Sequence, residues 1–202
     1  MHSRRTEIES RLKKSYTQLN QAYRLAILDY GSPKGWTFGE PYTKPDAVKF
    51  AQTYLTPYLK IAKDCTNSNS SDCNYTHKNL RNNTIDQSDD SAVYYLADGT
   101  YFGVTITMQN HVQLFVDCNG DKKPNILGYD IQTYYINATS KNSNNGNIWA
   151  SSCESDSNCA CTKSGNGAGC TRLIMNNNWK IPTEDEYVRL GFPRSDYPYS
   201  NL

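Results

Sequence analysis

Three oxygen-bearing side chains alternate along the stretch FVDCNGDKKPNILGYDI, namely Asp117, Asn119 and Asp121. Carboxylate and amide oxygens at alternate positions are how a calcium-binding loop presents its first ligands. Asn125, or a main-chain carbonyl oxygen, would supply a further ligand. One interpretation of the stretch is therefore a loose calcium site made of Asp117, Asn119, Asp121 and Asn125.

The second interpretation of this stretch is a turn that joins two strands. An EF-hand needs glycine at its sixth position and glutamate at its twelfth, and this chain has Lys122 and Gly128 there, which excludes that motif. Asn119-Gly120 favours a tight turn, Asp117 can hydrogen-bond its backbone, and Pro124 prevents extension of a strand ladder. The turn is the favoured interpretation, and calcium binding remains open beside it.

No other motif in the chain indicates catalysis. Acyl transfer needs a nucleophile on a constrained turn and a base, but G-x-S-x-G is absent and the three His are scattered. The segment GNGAGCTRLI lacks the lysine of a phosphate-binding loop. We therefore expect a protein that is not an enzyme. A secreted, disulfide-rich enzyme that uses a carboxylate pair is the alternative.

Composition limits the class of partner. The 202 residues carry a net charge of +1, and only 20% of them are charged, so no nucleic-acid partner is expected. No apolar run approaches the roughly 20 residues that span a bilayer, and no signal peptide is visible. Polarity that comes from Asn, Ser, Thr and 16 Tyr suits an extracellular protein.

The 7 cysteines lie mostly in Asn-, Ser- and Gly-rich stretches, where a buried apolar thiol would be out of place. Disulfides explain this pattern better than zinc, since Cys159-Ala160-Cys161 has the wrong spacing for a metal-binding pair. The cysteines predicted to form disulfides are Cys65, Cys73, Cys153, Cys159, Cys161 and Cys170. Cys65 should pair with Cys73 across a short polar loop, and Cys118 should stay unpaired. The pairing of the other four stays open.

Two helices are predicted in the first third of the chain. Apolar residues recur every three or four positions in residues 6–30, which is the pattern of one buried helical face. Thr6 and Glu9 have the spacing of a capping box at the start of this helix. A second helix is predicted over residues 45–63, with a kink at Pro57.

The hydrophobic period changes to that of strands after residue 91. Turns are predicted at Asp98-Gly99 and Gln109-Asn110, and the aspartate-rich stretch is the third connection before a strand at residues 129–137. Three short connections in sequence indicate an antiparallel meander of about four strands. Residues 139–169 then form a long polar loop that is stapled by its cysteines.

Several stretches resemble bacterial type IV pilin-like proteins. VDCNGDKKPNILGYDI is similar to their V-D-x-N-G-x-x-x-P-N-x-x-G-x-D pattern through Val116, Asp117, Asn119, Gly120, Pro124, Asn125, Gly128 and Asp130. CTRLIMNNNWKIP is similar to their C-terminal segment through Cys170, Thr171, Ile174, Trp179, Lys180 and Ile181. LADGTYFGV resembles the strand-turn-strand that precedes the pattern, and LKKSYTQLNQAYRLAILDYG resembles the globular half of their first helix.

The resemblance implies an α+β pilin-like fold, with a long N-terminal helix packed on the sheet. Residues 1–31 would be the C-terminal half of that helix, with residues 1–5 interpreted as an added start, and residues 32–202 would be the globular head. Family members carry a cleaved leader and an apolar half-helix upstream, so we expect both to precede the native head. The residues expected to face the fibre during assembly are Ile8, Leu12, Leu19 and Ile27.

The resemblance also implies a function, which is that of a structural subunit of a type IV pilus or a type II secretion pseudopilus. Its partners would be other pilin-like subunits, the assembly machinery and, through the upstream helix, the inner membrane before assembly. It would end at the cell surface or outside the cell. A minor or tip subunit that binds a surface, a ligand or DNA through residues 139–169 is the alternative, although that loop has only two basic residues, Lys141 and Lys163.

Overall fold

The computed structural model describes residues 2–67, 73, 76–85, 89–139, 146–150, 153 and 157–200. Part of the predicted loop at residues 139–169, including Lys141, therefore lies outside the described residues. Within the described part of the chain the fold is α+β, with one long N-terminal helix, an antiparallel sheet and a C-terminal region of short helices.

Helix α1 runs from His2 to Tyr30 and is 29 residues long. At 1.5 Å per residue it spans about 42 Å. It begins before Thr6, so the predicted capping box is wrong: Thr6 lies inside the helix, and Glu9 is buried against a distant part of the chain. The helix ends where predicted, at Gly31, whose φ of 75° suits glycine.

The second predicted helix is shorter than expected. Helix α2, Lys44–Tyr54, is followed by a 3-10 turn, Thr56–Tyr58, and then by strand β1, Ile61–Asp64. Proline lacks the N–H that a helix requires, and here Pro57 ends the helix where we predicted only a kink. The residues after it therefore become an edge strand of the sheet rather than further turns of helix.

The main sheet has five antiparallel strands in the order β1-β4-β5-β6-β7. Its last four strands are β4 Ala92–Leu96, β5 Tyr101–Met108, β6 His111–Asp117 and β7 Ile131–Asn137. Both predicted hairpin turns are confirmed, since β4 pairs with β5 and β5 with β6. A separate two-stranded sheet pairs β2, His77–Lys78, with β3, Thr84–Ile85. The addition of β1 makes five strands where about four were predicted.

The C-terminal region contains helix α3, Cys170–Asn176, helix α4, Glu184–Arg189, and a 3-10 turn, Arg194–Asp196. We call residues 180–200 the C-terminal strap. Its tyrosines Tyr187, Tyr197 and Tyr199 are buried in a second core cluster together with Ile8 and Leu12 of α1. The main cluster lies between the sheet and the rest of α1 and α2. The strap therefore covers the N-terminal half of α1.

The four residues that were expected to face the fibre have another place in the structure. Ile8, Leu12 and Leu19 are buried within the head, at 3%, 0% and 0% exposure, and Ile27 is half-buried beside the main core. The apolar stripe of α1 that the sequence pattern predicted packs against the strap and the sheet. An assembly surface on this helix must therefore use its other side.

Three disulfides join six of the seven cysteines. The predicted Cys65–Cys73 bond is confirmed, and the pairs left open are Cys153–Cys159 and Cys161–Cys170. Cys118 is free and buried, as predicted. Three disulfides in one chain indicate an oxidising environment of the extracellular or secreted kind. No helix in the described residues is long and apolar enough to cross a membrane.

Glu9 fixes the strap to α1. Its carboxylate accepts a hydrogen bond from the Ile181 backbone N–H at 3.1 Å and pairs with Lys180 at 2.8 Å. Replacing Glu9 by alanine would leave a buried N–H without an acceptor and is expected to cost about 2 kcal/mol of unfolding free energy. Urea denaturation measures the difference.

Glu7 provides the matched control on the same helix. Its side chain is exposed and its ion pair with Arg11, at 2.9 Å, is of the i,i+4 type. Such pairs contribute less than about 0.5 kcal/mol, so Glu7→Ala should barely change stability. Equal losses for the two alanine variants would refute the role given to Glu9.

Candidate functional site

The connection between β6 and β7, residues 118–130, carries the residues that the sequence singled out. An aspartate stands at each end of it: Asp117 is the last residue of β6, and Asp130 immediately precedes β7. Both side chains are fully buried, at 0% exposure. A buried carboxyl group must be hydrogen-bonded, protonated or bound to a cation, so the partners of these two residues determine what the connection can do.

Asp130 stabilises the connection by accepting hydrogen bonds from its backbone. Its two carboxylate oxygens accept hydrogen bonds from the backbone N–H groups of Asn125 at 2.9 Å and Ile126 at 2.7 Å. Burial raises the pKa of this carboxyl, and the backbone hydrogen bonds oppose the rise. In the sequence Asp130 is recognisable only as a residue of the pilin-like pattern, and nothing there reveals this structural role.

Asp117 has one satisfied and one unsatisfied oxygen. Oδ1 accepts from the Asn119 backbone N–H at 2.9 Å, which is the turn contact that the sequence predicted. Oδ2 has no hydrogen-bond partner among the described residues. Burial, and next the nearby charge of Asp130, hold the pKa of Asp117 well above its usual value. A negative charge on Asp117 is therefore costly unless a proton or a cation accompanies it.

The two asparagines surround the Lys122 carbonyl. Asn119 donates to it through Nδ2 at 2.6 Å, while its Oδ1 is buried and has no partner in the described part of the chain. The amide of Asn125, with its nitrogen on that side, donates to the carbonyl oxygens of Lys122 at 2.7 Å and Gly120 at 3.2 Å. If this amide turns over, its oxygen joins the two carbonyl oxygens, which is an arrangement that only a cation would stabilise.

Asp121, the fourth predicted ligand, is hydrogen-bonded to a residue outside the connection. Its Oδ1 accepts a hydrogen bond from the Tyr95 hydroxyl of β4, which ties it to the sheet. Asp117, Asn119 and Asn125 therefore form hydrogen bonds within the connection, while Asp121 bonds to the sheet and its charge still helps to raise the pKa of Asp117. Among the described residues, no group of three or more His, Cys, Asp or Glu is arranged to hold a metal ion. Any cation here would rely on amide and carbonyl oxygens beside one carboxylate.

Two glycines pack the connection against its neighbours. A Cβ on Gly120 would lie 2.4 Å from the Gly99 carbonyl oxygen, in the β4–β5 turn. A Cβ on Gly128 would lie 2.6 Å from the Gly167 carbonyl oxygen and 2.9 Å from Cys170 Sγ. The connection thus lies between the β4–β5 turn and the region stapled by the Cys161–Cys170 disulfide. Glycine was the one signal in the sequence that could have revealed these contacts.

A cavity of about 590 Å³ lies beside the N-terminal half of α1. It is lined by Thr6, Glu7, Ser10, Arg11, Lys14, Asp98, Thr100 and Cys118. Glu7 pairs with Arg11 at 2.9 Å and Asp98 with Lys14 at 2.8 Å. The two carboxylates of this cavity are therefore engaged in ion pairs, and these would have to open before the pair could act as the acid and base of the enzyme alternative.

A buried histidine, His111, is the first residue of β6. His111 is 8% exposed, contacts Thr107 Oγ1 through Nδ1 at 3.1 Å, and stacks on Tyr135 with ring centroids 5.2 Å apart. Burial lowers the pKa of His111 below its ordinary 6.5. Its Nε2 has no hydrogen-bond partner among the residues described.

The lowered pKa of His111 predicts a loss of stability in acid. Because the folded state binds this proton less readily than the unfolded state, the contribution is complete above pH 6.5 and is lost as the pH falls below it. The slope approaches at most about 1.4 kcal/mol per pH unit. His111→Phe keeps the ring stack and should remove this part of the pH dependence in urea titrations between pH 7 and pH 5. Parallel curves for the two proteins would contradict the prediction.

A protein-family model described as a family of unknown function, DUF6613, matches residues 1–187. This chain belongs to the DUF6613 family. The match includes α1, the whole sheet, the β6–β7 connection and the first residues of α4, so the architecture described above is that of a DUF6613 member. No curated protein and no solved structure matches the chain.

Proposed function

We propose that this DUF6613 protein is a non-enzymatic fibre subunit of the type IV pilin class, which serves a type IV pilus or a type II secretion pseudopilus. The observation that carries the proposal is the length of helix α1, along which the rest of the head packs. Its 29 residues span about 42 Å, and its buried positions extend from Ile8 to Ala26. The head therefore follows the helix for most of its length and leaves one side of it uncovered.

The order of elements gives further support. A long N-terminal helix is followed by an antiparallel meander, and the glycine- and aspartate-containing connection after β6 holds the residues that carry the pilin-like resemblance. Asp130 stabilises that connection by hydrogen bonds and Gly120 and Gly128 allow its close packing, so these three residues of the pattern have a structural reason in this chain. The disulfides suit a subunit exposed outside the cell.

The proposal is tested on the cells that produce the protein. We expect an antibody against this head to label filaments in immunogold electron microscopy, and to detect the protein in the material that shearing releases from the cell surface. The coding sequence upstream should encode an apolar stretch of about 20 residues behind a short basic leader. Labelling that is confined to free monomer, with no apolar stretch upstream, would refute a fibre role.

A calcium ion held by the β6–β7 connection is our second proposal. The observation that favours it is a pair of buried oxygens without hydrogen-bond partners in the described residues, Asp117 Oδ2 and Asn119 Oδ1. The Asn125 amide and the carbonyl oxygens of Gly120 and Lys122 lie beside them. These are hard oxygen ligands of the type that calcium prefers. When bound, the ion would offset the buried charge of Asp117 and stabilise the connection.

One carboxylate among neutral oxygens predicts weak binding, with a Kd of about 1 mM. About 10 mM calcium should then raise the unfolding free energy by roughly 1.4 kcal/mol, which corresponds to a rise in Tm of about 3–5 °C. Differential scanning calorimetry with calcium and with magnesium measures the effect. Asp117→Asn should abolish the rise, while Asp121→Asn should retain it because Asp121 is bound to Tyr95. No rise in the parent protein would remove the site.

A further inference from the structure

The Cys161–Cys170 disulfide packs against the second half of the β6–β7 connection. A Cβ on Gly128 would lie only 2.9 Å from Cys170 Sγ, so the Gly128 backbone is in close contact with this sulfur. Cys170 is 0% exposed and Cys161 is 6% exposed. The disulfide is therefore part of the buried surface on which the connection packs.

Tyr199 links the other sulfur of this disulfide to the same backbone. Its hydroxyl donates a hydrogen bond to the Gly128 carbonyl oxygen at 2.9 Å and lies 3.5 Å from Cys161 Sγ. The Tyr199 side chain is buried, so this hydrogen bond is shielded from water. Gly128 is therefore held from two sides, by Cys170 directly and by Cys161 through Tyr199.

The β2–β3 hairpin makes a second link between the connection and the loop that this disulfide closes. The Lys78 backbone N–H donates to the Asn125 carbonyl oxygen at 2.9 Å, and the Lys78 carbonyl oxygen accepts from the Leu127 N–H at 2.8 Å. Two residues further on, the Leu80 N–H donates to the Asn166 carbonyl oxygen at 3.2 Å. One short hairpin therefore binds both a proposed calcium ligand and the disulfide-closed loop.

Few residues separate the disulfide contact from the proposed calcium ligands. Gly128 is three positions from Asn125, and each backbone N–H from Asn125 to Gly128 is hydrogen-bonded. The first two of these N–H groups bind the Asp130 carboxylate. Because this stretch is held at every residue, a change in packing at Gly128 should move Asn125 as well.

We propose that calcium binding at the β6–β7 connection is coupled to the Cys161–Cys170 disulfide, and that reduction of this disulfide by a dithiol weakens calcium binding. Reduction transfers two electrons and two protons from the dithiol, so the S–S bond becomes two thiols and the dithiol becomes a disulfide. Cys161 and Cys170 are then no longer joined, and the packing at Gly128 loosens. This inference rests on the proposed calcium site.

The coupling is reciprocal, because two equilibria of one protein that are linked affect each other by the same factor. The ion therefore opposes reduction of the disulfide as strongly as reduction opposes binding of the ion. A chain that reaches an oxidising environment would gain its full calcium affinity only once this disulfide has closed.

The first test compares calcium dissociation constants from NMR titrations of the folded protein and three variants. Cys161→Ala combined with Cys170→Ala removes the disulfide and should raise the Kd about fivefold or more. Tyr199→Phe removes only the hydroxyl that binds Gly128, and it should also raise the Kd. Tyr197→Phe is the matched control, since its hydroxyl binds a carbonyl oxygen of the strap itself at 3.0 Å, and it should leave the Kd unchanged.

The second test uses the parent protein alone, so it does not depend on the folding of a variant. The protein is equilibrated in mixtures of reduced and oxidised dithiothreitol, and mass spectrometry of the alkylated thiols gives the reduced fraction of each disulfide. For a fivefold coupling, about 10 mM calcium should raise the dithiol excess that half-reduces Cys161–Cys170 by about fourfold. The Cys65–Cys73 bond begins directly after β1, at the other edge of the sheet from β7, and should not respond. Magnesium at the same concentration is the salt control.

The outcomes separate the two proposals. A parent protein that binds no calcium in the titration removes the site and the coupling together. Equal Kd values for the parent and the variant without the disulfide would refute the coupling and leave the calcium site standing, and so would a half-reduction point of Cys161–Cys170 that calcium leaves unchanged. An equal shift at Cys65–Cys73 would also refute the coupling, because it would show a general effect of the ion on stability.

Discussion

Replacing Gly128 by alanine should destabilise the protein by about 2–5 kcal/mol. Its φ of 90° is unfavourable for alanine, which costs about 1–2 kcal/mol. The new methyl group would also lie 2.6 Å from the Gly167 carbonyl oxygen and 2.9 Å from Cys170 Sγ. The Gly167 carbonyl oxygen is part of the backbone, so it cannot shift unless the region stapled by the Cys161–Cys170 disulfide shifts too. Overpacking therefore adds about 1–3 kcal/mol of destabilisation.

Gly99 is the control that separates the two causes. Its φ of 86° is nearly the same, yet nothing lies within 4 Å of a Cβ at this position. Gly99→Ala should therefore show the conformational cost alone, about 1–2 kcal/mol. Urea denaturation of both variants gives the comparison. If the two substitutions cost the same, the connection does not pack against residues 167–170 as described.

Replacing Asp130 by alanine should cost about 3 kcal/mol. The substitution leaves the N–H groups of Asn125 and Ile126 without their acceptor, and each unsatisfied buried donor costs about 1–3 kcal/mol. Removing a buried carboxyl whose pKa is raised by burial recovers part of that loss. We also expect faster amide hydrogen exchange at Asn125 and Ile126, because the hydrogen bonds that protect them are gone.

Asp121→Ala is the control for this second prediction, because Asp121 belongs to the same connection but is exposed and has a single tyrosine partner. Its loss should change stability by no more than about 0.5 kcal/mol. Unchanged exchange at Asn125 and Ile126 in the Asp130→Ala variant would show that the connection closes by other means.

The features that sequence predicted correctly are local ones. The hairpin turns at Asp98-Gly99 and Gln109-Asn110 were readable because turn residues act within four positions. The hydrogen bond from the Asn119 backbone N–H to Asp117 was predictable for the same reason, since the two residues are two positions apart. The Cys65–Cys73 bond could be predicted because only 8 positions separate its cysteines.

The features that sequence missed depend on distant partners. Residues 61–64 continue the apolar spacing of α2, and only their pairing with β4, some 30 positions later, makes them a strand. Glu9 matched a capping box only by its spacing from Thr6. Its true partner, the Ile181 N–H, is 172 residues away and could not be recognised from the sequence. The sequence shows that Ile8 and Leu12 are apolar. It does not show that the C-terminal strap covers them, because the strap has no strong hydrophobic pattern of its own.

The unpaired cysteine provides the molecule with an internal reporter. Cys118 is 1% exposed, and burial raises the pKa of its thiol well above the ordinary value. Cys118 borders the cavity beside α1, but its side chain is almost fully covered, so a thiol-reactive dye should modify it mainly when the packing around it loosens. The labelling rate would measure how often the packing around Cys118 opens, and no engineered probe is needed.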